Sequence, residues 1–257
     1  MSNSDAEAFD CPTRRATRPA AITARWVTRL ARLALPQCCE LCVAHTHGAL
    51  LCEDCSADLP RIFAACPVCA LPSSVGAVCG ACLDDPPPYA ATVAALAYTF
   101  PTDRLLHRIK YGGRLALVDW AGSLLATTVR SALALRVPEN LPERIVALPL
   151  TKGRQRERGF NQAREIAVRV AQTIALPLTS PLVRISTGPP QTALPWAERQ
   201  RNVRGAFLVC GDVRGARVAL VDDVMTTGAT LAEAARTLVQ AGAVAVECWV
   251  VARTLPP

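Results

Sequence analysis

Residues 220–230, with the sequence LVDDVMTTGAT, constrain the fold of this chain more than any other segment. An apolar run leads into the adjacent acids Asp222 and Asp223, and then into a turn of small and hydroxyl-bearing residues that opens a helix. The first backbone N–H groups of such a helix lack intrahelical partners, and the helix dipole favours negative charge there. Gly228 lets the backbone approach a bound group closely. The segment therefore predicts a phosphate-binding turn at the end of a buried strand, with two carboxylates beside it.

The same segment restricts the kind of phosphate compound that would bind. Carboxylates at 222 and 223 are positioned to accept hydrogen bonds from vicinal hydroxyls. A ribose 5-phosphate offers both such hydroxyls and a phosphate, so it fits this segment better than a nucleoside triphosphate does. The turn is not a Walker A loop, because neither GKS nor GKT follows Gly228. The alternative interpretation is an ordinary strand-to-helix connection capped by threonine.

The chain of 257 residues accommodates one ordinary α/β domain and a smaller module. Its longest uncharged stretches are broken by proline or by glycine and cysteine turns, and the apolar run 115–135 contains charges, so no membrane span is predicted. Arg25, Arg29 and Arg32 interrupt the segment that would have to form a secretion signal, which favours a cytoplasmic, reducing location. The net charge of +7 suits a polyanionic small substrate as well as nucleic acid.

Cysteine spacing defines an N-terminal module. Eight of the twelve cysteines form four CxxC pairs, and adding 27 to the positions of the first two pairs gives the last two, as in a duplicated unit. Two CxxC turns separated by nine residues supply four thiolates, which close a tetrahedral zinc site. We predict a double zinc ribbon over residues 36–85 with two structural Zn²⁺ ions, held by Cys39, Cys42, Cys52, Cys55, Cys66, Cys69, Cys79 and Cys82.

Other uses of these thiols stay open. Disulfides conflict with a reducing compartment, whereas an iron–sulfur cluster also takes four thiolates and is compatible with the spacing. The unbroken duplication favours sequential sites over a cross-braced arrangement. His45 and His47 lie between the turns of the first unit, but four thiolates already complete its coordination.

Three prolines at 86–88 separate the cysteine module from the rest of the chain. Beyond them, apolar patterning predicts alternating strands and helices, which is typical of an open, mainly parallel α/β sheet with helices on both faces. Strands are expected at 91–99, 145–150, 218–222 and 244–252, and helices at 102–110, 115–135, 162–174 and 231–240. Residues 86–257 are the predicted second domain, and residues 1–35 are assigned no function.

Two further segments bring positive charge. Residues 151–162 follow a predicted strand and contain four cations, and ligands of open α/β sheets bind at the carboxyl ends of strands. This loop is predicted to hold a pyrophosphate group, the alternative being a solvated basic loop. Residues 184–207 have little regular pattern and carry several arginines, as expected either of a lid over a bound polyphosphate or of a mobile surface loop.

Together, the motifs of the chain resemble the ComF/GntX family in kind and in order. They are the tandem CxxC ribbons, LHRIKYGGR at 106–114, RERGFNQA at 156–163, QTALPWAERQRNVRGAF at 191–207 and LVDDVMTTGAT at 220–230. The last is similar to the signature with which type I phosphoribosyltransferases bind phosphoribosyl pyrophosphate (PRPP). The resemblance implies a type I phosphoribosyltransferase-like domain behind an N-terminal zinc module and, in some members, a part in the uptake of transforming DNA.

The resemblance also implies roles for individual residues. As the catalytic pair, Asp222 and Asp223 would engage the ribose hydroxyls and help hold Mg²⁺. The 5-phosphate would lie against Met225, Thr226, Thr227, Gly228, Ala229 and Thr230, the pyrophosphate against Thr151, Lys152, Gly153, Arg154 and Arg158, and the lid would contribute Arg199, Arg201 and Asn202.

Three hypotheses on function remain at this point. The chain is a phosphoribosyltransferase, a sensor that binds PRPP or a nucleotide without turnover, or a module that binds single-stranded DNA or DNA-uptake proteins. The region that would select an acceptor base, 89–98, contains only small apolar residues between its two tyrosines. Aromatic residues make up 5 % of the chain, too few to favour base stacking. We therefore favour the transferase and leave its acceptor open.

Overall fold

The computed structural model describes residues 37–111, 114–185 and 203–256. Strands and helices within these ranges are numbered in chain order. The strands are β1 (Gln37–Cys38), β2 (His45–Thr46), β3 (Ala91–Ala97), β4 (Arg144–Ala147), β5 (Leu178–Thr179), β6 (Leu182–Arg184), β7 (Phe207–Val209), β8 (Arg217–Met225) and β9 (Ala245–Arg253). The helices are α1 (Glu53–Ala57), α2 (Gly80–Asp84), α3 (Thr102–Tyr111), α4 (Leu115–Leu133), α5 (Lys152–Arg158), α6 (Gln162–Ile174) and α7 (Ala229–Gln240), with 3-10 turns at Ser74–Gly76 and Pro138–Asn140.

Five parallel strands form the central sheet in the order β3-β9-β8-β4-β5. Strands β8 and β9 lie in its interior and are mostly apolar and buried, as expected of parallel strands covered on both faces. The pairs β1–β2 and β6–β7 are antiparallel and separate from this sheet. The predicted open, mainly parallel α/β sheet is confirmed.

Alternating residues of β8 face two different layers. Ala219 and Val221 pack in a buried cluster with side chains of α3, α4 and α6. Val218 and Leu220 pack on the opposite face in a second cluster with α7 and the β6–β7 pair. Because both faces of the sheet are covered, a ligand reaches it at the ends of the strands, where the connecting loops lie.

Strand β8 is longer than the sequence pattern indicated. Its parallel pairing with β9 continues to Met225, opposite Arg253, so Asp223 also lies within the strand, whereas the expected strand ended at Asp222. Paired acids have low strand propensity, and here the ladder to the neighbouring strand overrides that preference.

Two other segments also differ from expectation. Residues 152–158, expected as a loop, form the short helix α5, because the side chain of Thr151 caps its first turn and Gly159 ends it in the left-handed conformation, with a φ of 76°. The segment 184–207, expected to be irregular, begins and ends in the antiparallel pair β6–β7. Residues 186–202 lie outside the described part of the chain.

The cysteine module covers the edge strand β3. The backbone N–H groups of Thr92 and Ala97 donate to the carbonyl oxygens of Pro67 and Pro60, at 2.9 and 2.7 Å. Unpaired N–H groups on a sheet edge favour association with other chains, and this docking satisfies two of them. No helix within the described ranges combines the length and the apolar character needed to cross a bilayer.

Candidate functional site

Two adjacent carboxylates lie near the carboxyl end of β8. Asp222 is half-buried and Asp223 is buried. The backbone N–H of Asp223 donates to Oδ1 of Asp222 at 2.8 Å, which fixes the orientation of that side chain. Burial of the carboxyl, together with the nearby charge of Asp223, raises the pKa of Asp222 to about 8. In the free protein near neutral pH, the pair therefore carries less than two full negative charges.

A lysine from helix α3 completes the acidic pair. Nζ of Lys110 lies 3.1 Å from Oδ2 of Asp223, and both side chains are mostly buried. Burial disfavours the ammonium charge, but the carboxylates of Asp223 and Asp222 outweigh burial and raise the pKa of Lys110 above its usual value. The sequence analysis missed Lys110 as a site residue. The only indication in the sequence was that Lys110 stands next to the apolar face of an amphipathic helix. A lysine exposed to solvent gives the same pattern, so the sequence could not identify Lys110 as a partner of the acids.

Replacement of Lys110 by Met is expected to lower the free energy of unfolding by about 2 kcal/mol, because it leaves the buried carboxylate of Asp223 without a partner. The double variant Lys110→Met with Asp223→Asn removes both charges and should recover most of that loss. Urea unfolding of the single and double variants measures the coupling. Additive effects of the two changes would show that the ion pair contributes nothing.

In the turn after β8, the backbone of Gly228 lies so close to neighbouring side chains that no side chain fits at this position without displacing them. Gly228 adopts a φ of 83°, and a Cβ at this position would lie 2.8 Å from Cε of Met225 and 3.2 Å from the hydroxyl oxygen of Tyr89. Oγ1 of Thr227 accepts a hydrogen bond from the backbone N–H of Ala229 at 3.2 Å, at the start of α7. A side chain at 228 would therefore displace neighbours and strain the backbone.

Helix α5 presents the basic segment at the carboxyl end of β4. Oγ1 of Thr151 accepts from the backbone N–H of Arg154 at 3.3 Å. The guanidinium carbon of Arg158 lies 5.5 Å from the ring centroid of Tyr111 in α3, and its Nη1 donates to Oε1 of Gln162 at 3.4 Å. Residues of the motifs LHRIKYGGR and RERGFNQA thus contact each other in the fold.

Arg184, at the end of β6, brings a further cation. Burial lowers the pKa of Arg184, the charge of Arg154 lowers it further, and the charge of Asp222 opposes both. Nε of Arg184, Nε of Arg158 and Nε2 of Gln162 are buried without a hydrogen-bond partner among the described residues. Buried donors without partners are uncommon, so a ligand with several oxygen acceptors suits this region. The sequence analysis placed Gln162 at the end of the basic segment 151–162 and Arg184 at the start of the segment 184–207, but it assigned neither residue an individual role.

The cysteines form two separate clusters of four. In each, the Sγ atoms lie within 4.8 Å of one another, and the groups are Cys39, Cys42, Cys52, Cys55 and Cys66, Cys69, Cys79, Cys82. Zinc–sulfur bonds of about 2.3 Å place tetrahedral ligands about 3.8 Å apart, so both clusters fit a zinc ribbon. The Sγ atoms of Cys42 and Cys52 are 3.6 Å apart, as are those of Cys69 and Cys79, far longer than a disulfide bond, and all eight thiols are free. The grouping is sequential rather than cross-braced.

Backbone N–H groups favour the thiolate form of one cysteine in each cluster. The N–H of Leu41 donates to Sγ of Cys39, and the N–H of Cys79 donates to Sγ of Cys66, both at 3.4 Å. Burial opposes ionisation of Cys66, but such backbone hydrogen bonds outweigh it and lower the pKa of this thiol to about 6. A thiolate is the metal-binding form of cysteine. His45 and His47 are exposed and belong to neither cluster.

The structure brings most of the predicted ligand-binding residues to one end of the sheet. The acids lie near the carboxyl end of β8, and the 226–230 turn follows that strand. The basic segment follows the neighbouring strand β4 at the same end of the sheet. Lys152 lies in α5. The predicted lid residues Arg199, Arg201 and Asn202 fall outside the described residues.

Comparisons with known proteins identify the family. The family model for the phosphoribosyl transferase domain matches residues 162–255. DNA utilization protein YhgH from Salmonella typhimurium is 34 % identical over 231 residues, which cover 87 % of this chain and 100 % of that protein. Competence protein F from Haemophilus influenzae is 32 % identical and is matched over 68 % of this chain and 78 % of its own length. The chain belongs to the ComF family. A further relative of this ComF-family protein is Competence protein ComFC from Bacillus subtilis, with 29 % identity over 75 % of this chain and 79 % of that protein.

The comparisons confirm the family expected from the motifs and the phosphoribosyltransferase-type domain. In this ComF-family protein, the region matched by the domain model runs from α6 to β9 and includes both acids and the turn. Lys110 and helix α5 precede the matched region in the chain. The fold brings Lys110 to Asp223 and brings Arg154 of α5 near Arg184.

Proposed function

We propose that this ComF-family protein binds PRPP together with Mg²⁺ and transfers or hydrolyses its phosphoribosyl group. One observation supports this above the others: the paired acids and the 226–230 turn end one strand of the sheet, and the basic helix α5 follows the adjacent strand. Two anion-binding regions on either side of two carboxylates suit a ligand with a phosphate at one end, a diphosphate at the other and vicinal hydroxyls between them.

Each part of the ligand has a partner in this proposal. The 5-phosphate binds to the backbone N–H groups and hydroxyls of the 226–230 turn, and the ribose hydroxyls donate to Asp222 and Asp223. The diphosphate binds at residues 151–154 and Arg158. Mg²⁺ prefers carboxylate and phosphate oxygens and keeps several waters, and the Asp222 carboxylate, which Lys110 does not pair directly, fits that preference. When bound, Mg²⁺ neutralises part of the charge of the diphosphate.

The protein's contribution to the reaction is positioning and charge stabilisation. The bond between C1 of the ribose and the diphosphate oxygen breaks, its electron pair leaves with pyrophosphate, and a nucleophile bonds to C1. Arg154 and Arg158 stabilise the negative charge on the leaving group, and the two carboxylates stabilise the positive charge on the ribose. The lid residues Arg199, Arg201 and Asn202 close over the ligand and exclude water.

We propose further that each cysteine cluster holds one structural Zn²⁺. Four thiolates leave no open position on the metal, so this zinc takes no part in the chemistry. It stabilises a module of about 20 residues per unit that buries too little apolar surface to fold alone.

The names of the relatives favour a role in handling DNA. We propose that this role is carried out in the cytoplasm. In that setting the protein would act through PRPP turnover or as a PRPP-binding sensor. Binding of single-stranded DNA by the basic segments is the alternative partner, and it predicts an affinity that falls steeply with salt concentration.

Calorimetric titration of the zinc-loaded protein tests the proposal. With Mg²⁺ present, PRPP should bind with micromolar affinity and at least about tenfold more tightly than ribose 5-phosphate or pyrophosphate alone, because only PRPP engages both anion-binding regions at once. Pyrophosphate that binds as tightly as PRPP would indicate a general anion site. No binding of PRPP to the folded protein would rule the proposal out.

Two arginines of helix α5 provide a matched pair of variants for this titration. Arg154 is half-buried and its charge acts on Arg184, whereas Arg156 is exposed. We expect Arg154→Gln to weaken PRPP binding about tenfold and Arg156→Gln to leave it unchanged.

A further inference from the structure

Arg253, the last residue of β9, connects the second cysteine cluster with the turn that follows β8. Its side chain is buried, with 4 % of its surface exposed. Nε donates to the carbonyl oxygen of Cys69 at 2.8 Å. Nη1 donates to the carbonyl oxygens of Met225 at 3.0 Å, of Thr226, and of Thr254 at 3.0 Å. One guanidinium thus holds backbone groups of both the cysteine module and the sheet domain.

The partners of this guanidinium are all backbone carbonyls. No ion pair between Arg253 and a carboxylate is found within the described ranges. A buried charge requires hydrogen-bond acceptors in fixed directions, and arginine offers its donors in a rigid planar fork. The orientations of the carbonyl groups on the two sides of Arg253 therefore depend on one another.

The bond to Thr226 bears on phosphate binding. In a planar trans peptide unit, the C=O and N–H groups point in opposite directions. The carbonyl of Thr226 points toward Arg253, so the N–H of Thr227 in the same peptide unit points away from it. In the proposed site the backbone N–H groups of this turn bind the 5-phosphate, and Arg253 thereby orients a donor without touching the ligand.

The hydrogen bond to the carbonyl of Cys69 connects Arg253 to the second cysteine cluster, because Cys69 also contributes its thiol to that cluster. Sγ of Cys69 lies 3.6 Å from Sγ of Cys79 in the second cluster. A metal bound by four thiolates holds the backbone of each CxxC turn in place. Without the metal, the carbonyl of Cys69 is free to move, and the guanidinium of Arg253 loses a fixed acceptor.

We propose that Arg253 is a positioning residue through which metal binding at the second cysteine cluster orders the 226–230 turn and raises its affinity for phosphate. The effect on affinity rests on the proposed PRPP site, whereas the effect on order does not. Among the described residues, no arginine connects the first cluster to the 226–230 turn in this way. Glu40 of the first unit instead forms ion pairs with Arg108 and Arg114, at 3.0 and 3.2 Å.

Amide hydrogen exchange of peptides covering 222–232 tests the connection without any ligand. The duplicated unit supplies matched variants, since Cys82→Ser and Cys55→Ser change equivalent positions in the second and first clusters. We expect exchange in the turn to be about tenfold faster in Cys82→Ser and unchanged in Cys55→Ser. Equal exchange in these two variants would overturn the proposal.

Arg253→Lys tests the residue itself, because lysine keeps the charge but lacks the planar fork. This variant should retain zinc in both clusters. Amide exchange in the 226–230 turn should nevertheless be as fast as in Cys82→Ser, and the double variant Arg253→Lys with Cys82→Ser should exchange little faster than either single variant. Arg136→Lys, which alters the arginine paired with Glu247 at the other end of β9, is the control and should leave the turn unchanged. If Arg253→Lys does not fold, the two cysteine variants decide alone.

Calorimetry extends the test to function. PRPP should bind about tenfold more weakly to Cys82→Ser than to Cys55→Ser. Because coupling between two binding equilibria is reciprocal, PRPP should also raise the affinity of the second cluster for zinc, as measured by equilibrium competition with a chelator. PRPP binding that is equal in the two variants overturns the proposal and leaves the proposed function intact. No PRPP binding to the wild type overturns the proposed function alone, and the exchange measurements then decide the role of Arg253.

Discussion

Changing Asp222 and Asp223 together to Asn is expected to weaken PRPP binding by at least about a hundredfold, the effect of losing two hydrogen bonds to charged acceptors. Carboxylates accept from both vicinal hydroxyls of a ribose, whereas each amide places a donor where an acceptor is needed. Isothermal titration calorimetry with PRPP and Mg²⁺ measures the loss. The double variant Asp119→Asn with Asp212→Asn changes the same number of aspartates at exposed positions and should bind normally. Normal binding by the Asp222 and Asp223 variant would place the ligand elsewhere.

The single variant Asp222→Asn separates loss of binding from loss of folding. In the unfolded chain this carboxyl loses its proton near its ordinary pKa of about 3.9, whereas in the folded protein it keeps the proton up to about pH 8. Between these values the folded state binds more protons, so the free energy of unfolding falls as the pH rises. Asn at 222 lacks this dependence and should be more stable than wild type at pH 8 by at least about 1 kcal/mol. A destabilised Asp222→Asn protein would contradict this origin of the raised pKa.

Removal of metal from one cysteine cluster is the second large expected effect. Cys39→Ser should reduce the zinc content from two ions to one and unfold the first ribbon, whose Leu51 and Leu59 pack in the main core. In small zinc peptides the metal contributes roughly 10–16 kcal/mol of apparent binding free energy, as much as the whole stability of a typical domain. Metal analysis together with limited proteolysis of residues 37–59 measures the outcome.

The neighbouring thiol gives a matched control for this variant. Cys38 is exposed and belongs to neither cluster, so Cys38→Ser should keep two zinc ions and the wild-type protease resistance. A Cys39→Ser protein that retains both ions would show that the fourth ligand is replaceable. Iron in the purified protein, in place of zinc, would favour the iron–sulfur interpretation of the same thiolates.

Local signals in the sequence were sufficient for several parts of the protein. The duplicated CxxC spacing predicted two sequential clusters, because a tetrahedral site constrains four thiols within about 20 residues. The 162–174 helix agrees with the structure to the residue, since its apolar period and the capping Asn161 are both local. The strand ends were less accurate, as for β8, because ladder pairing with a neighbouring strand extends a strand beyond its own propensity.

The sequence by itself determined the parallel α/β class, the two clusters of four cysteines and the presence of an acidic pair beside a hydroxyl-rich turn, because each depends on residues close together in the chain. Only the tertiary structure decided which cations meet those acids and how the two modules are joined. Lys110 reaches Asp223, and Arg253 reaches Cys69 across 184 positions of sequence. Such contacts depend on the strand order β3-β9-β8-β4-β5 and on the docking of the cysteine module on β3, and no local pattern of charge or hydrophobicity encodes either.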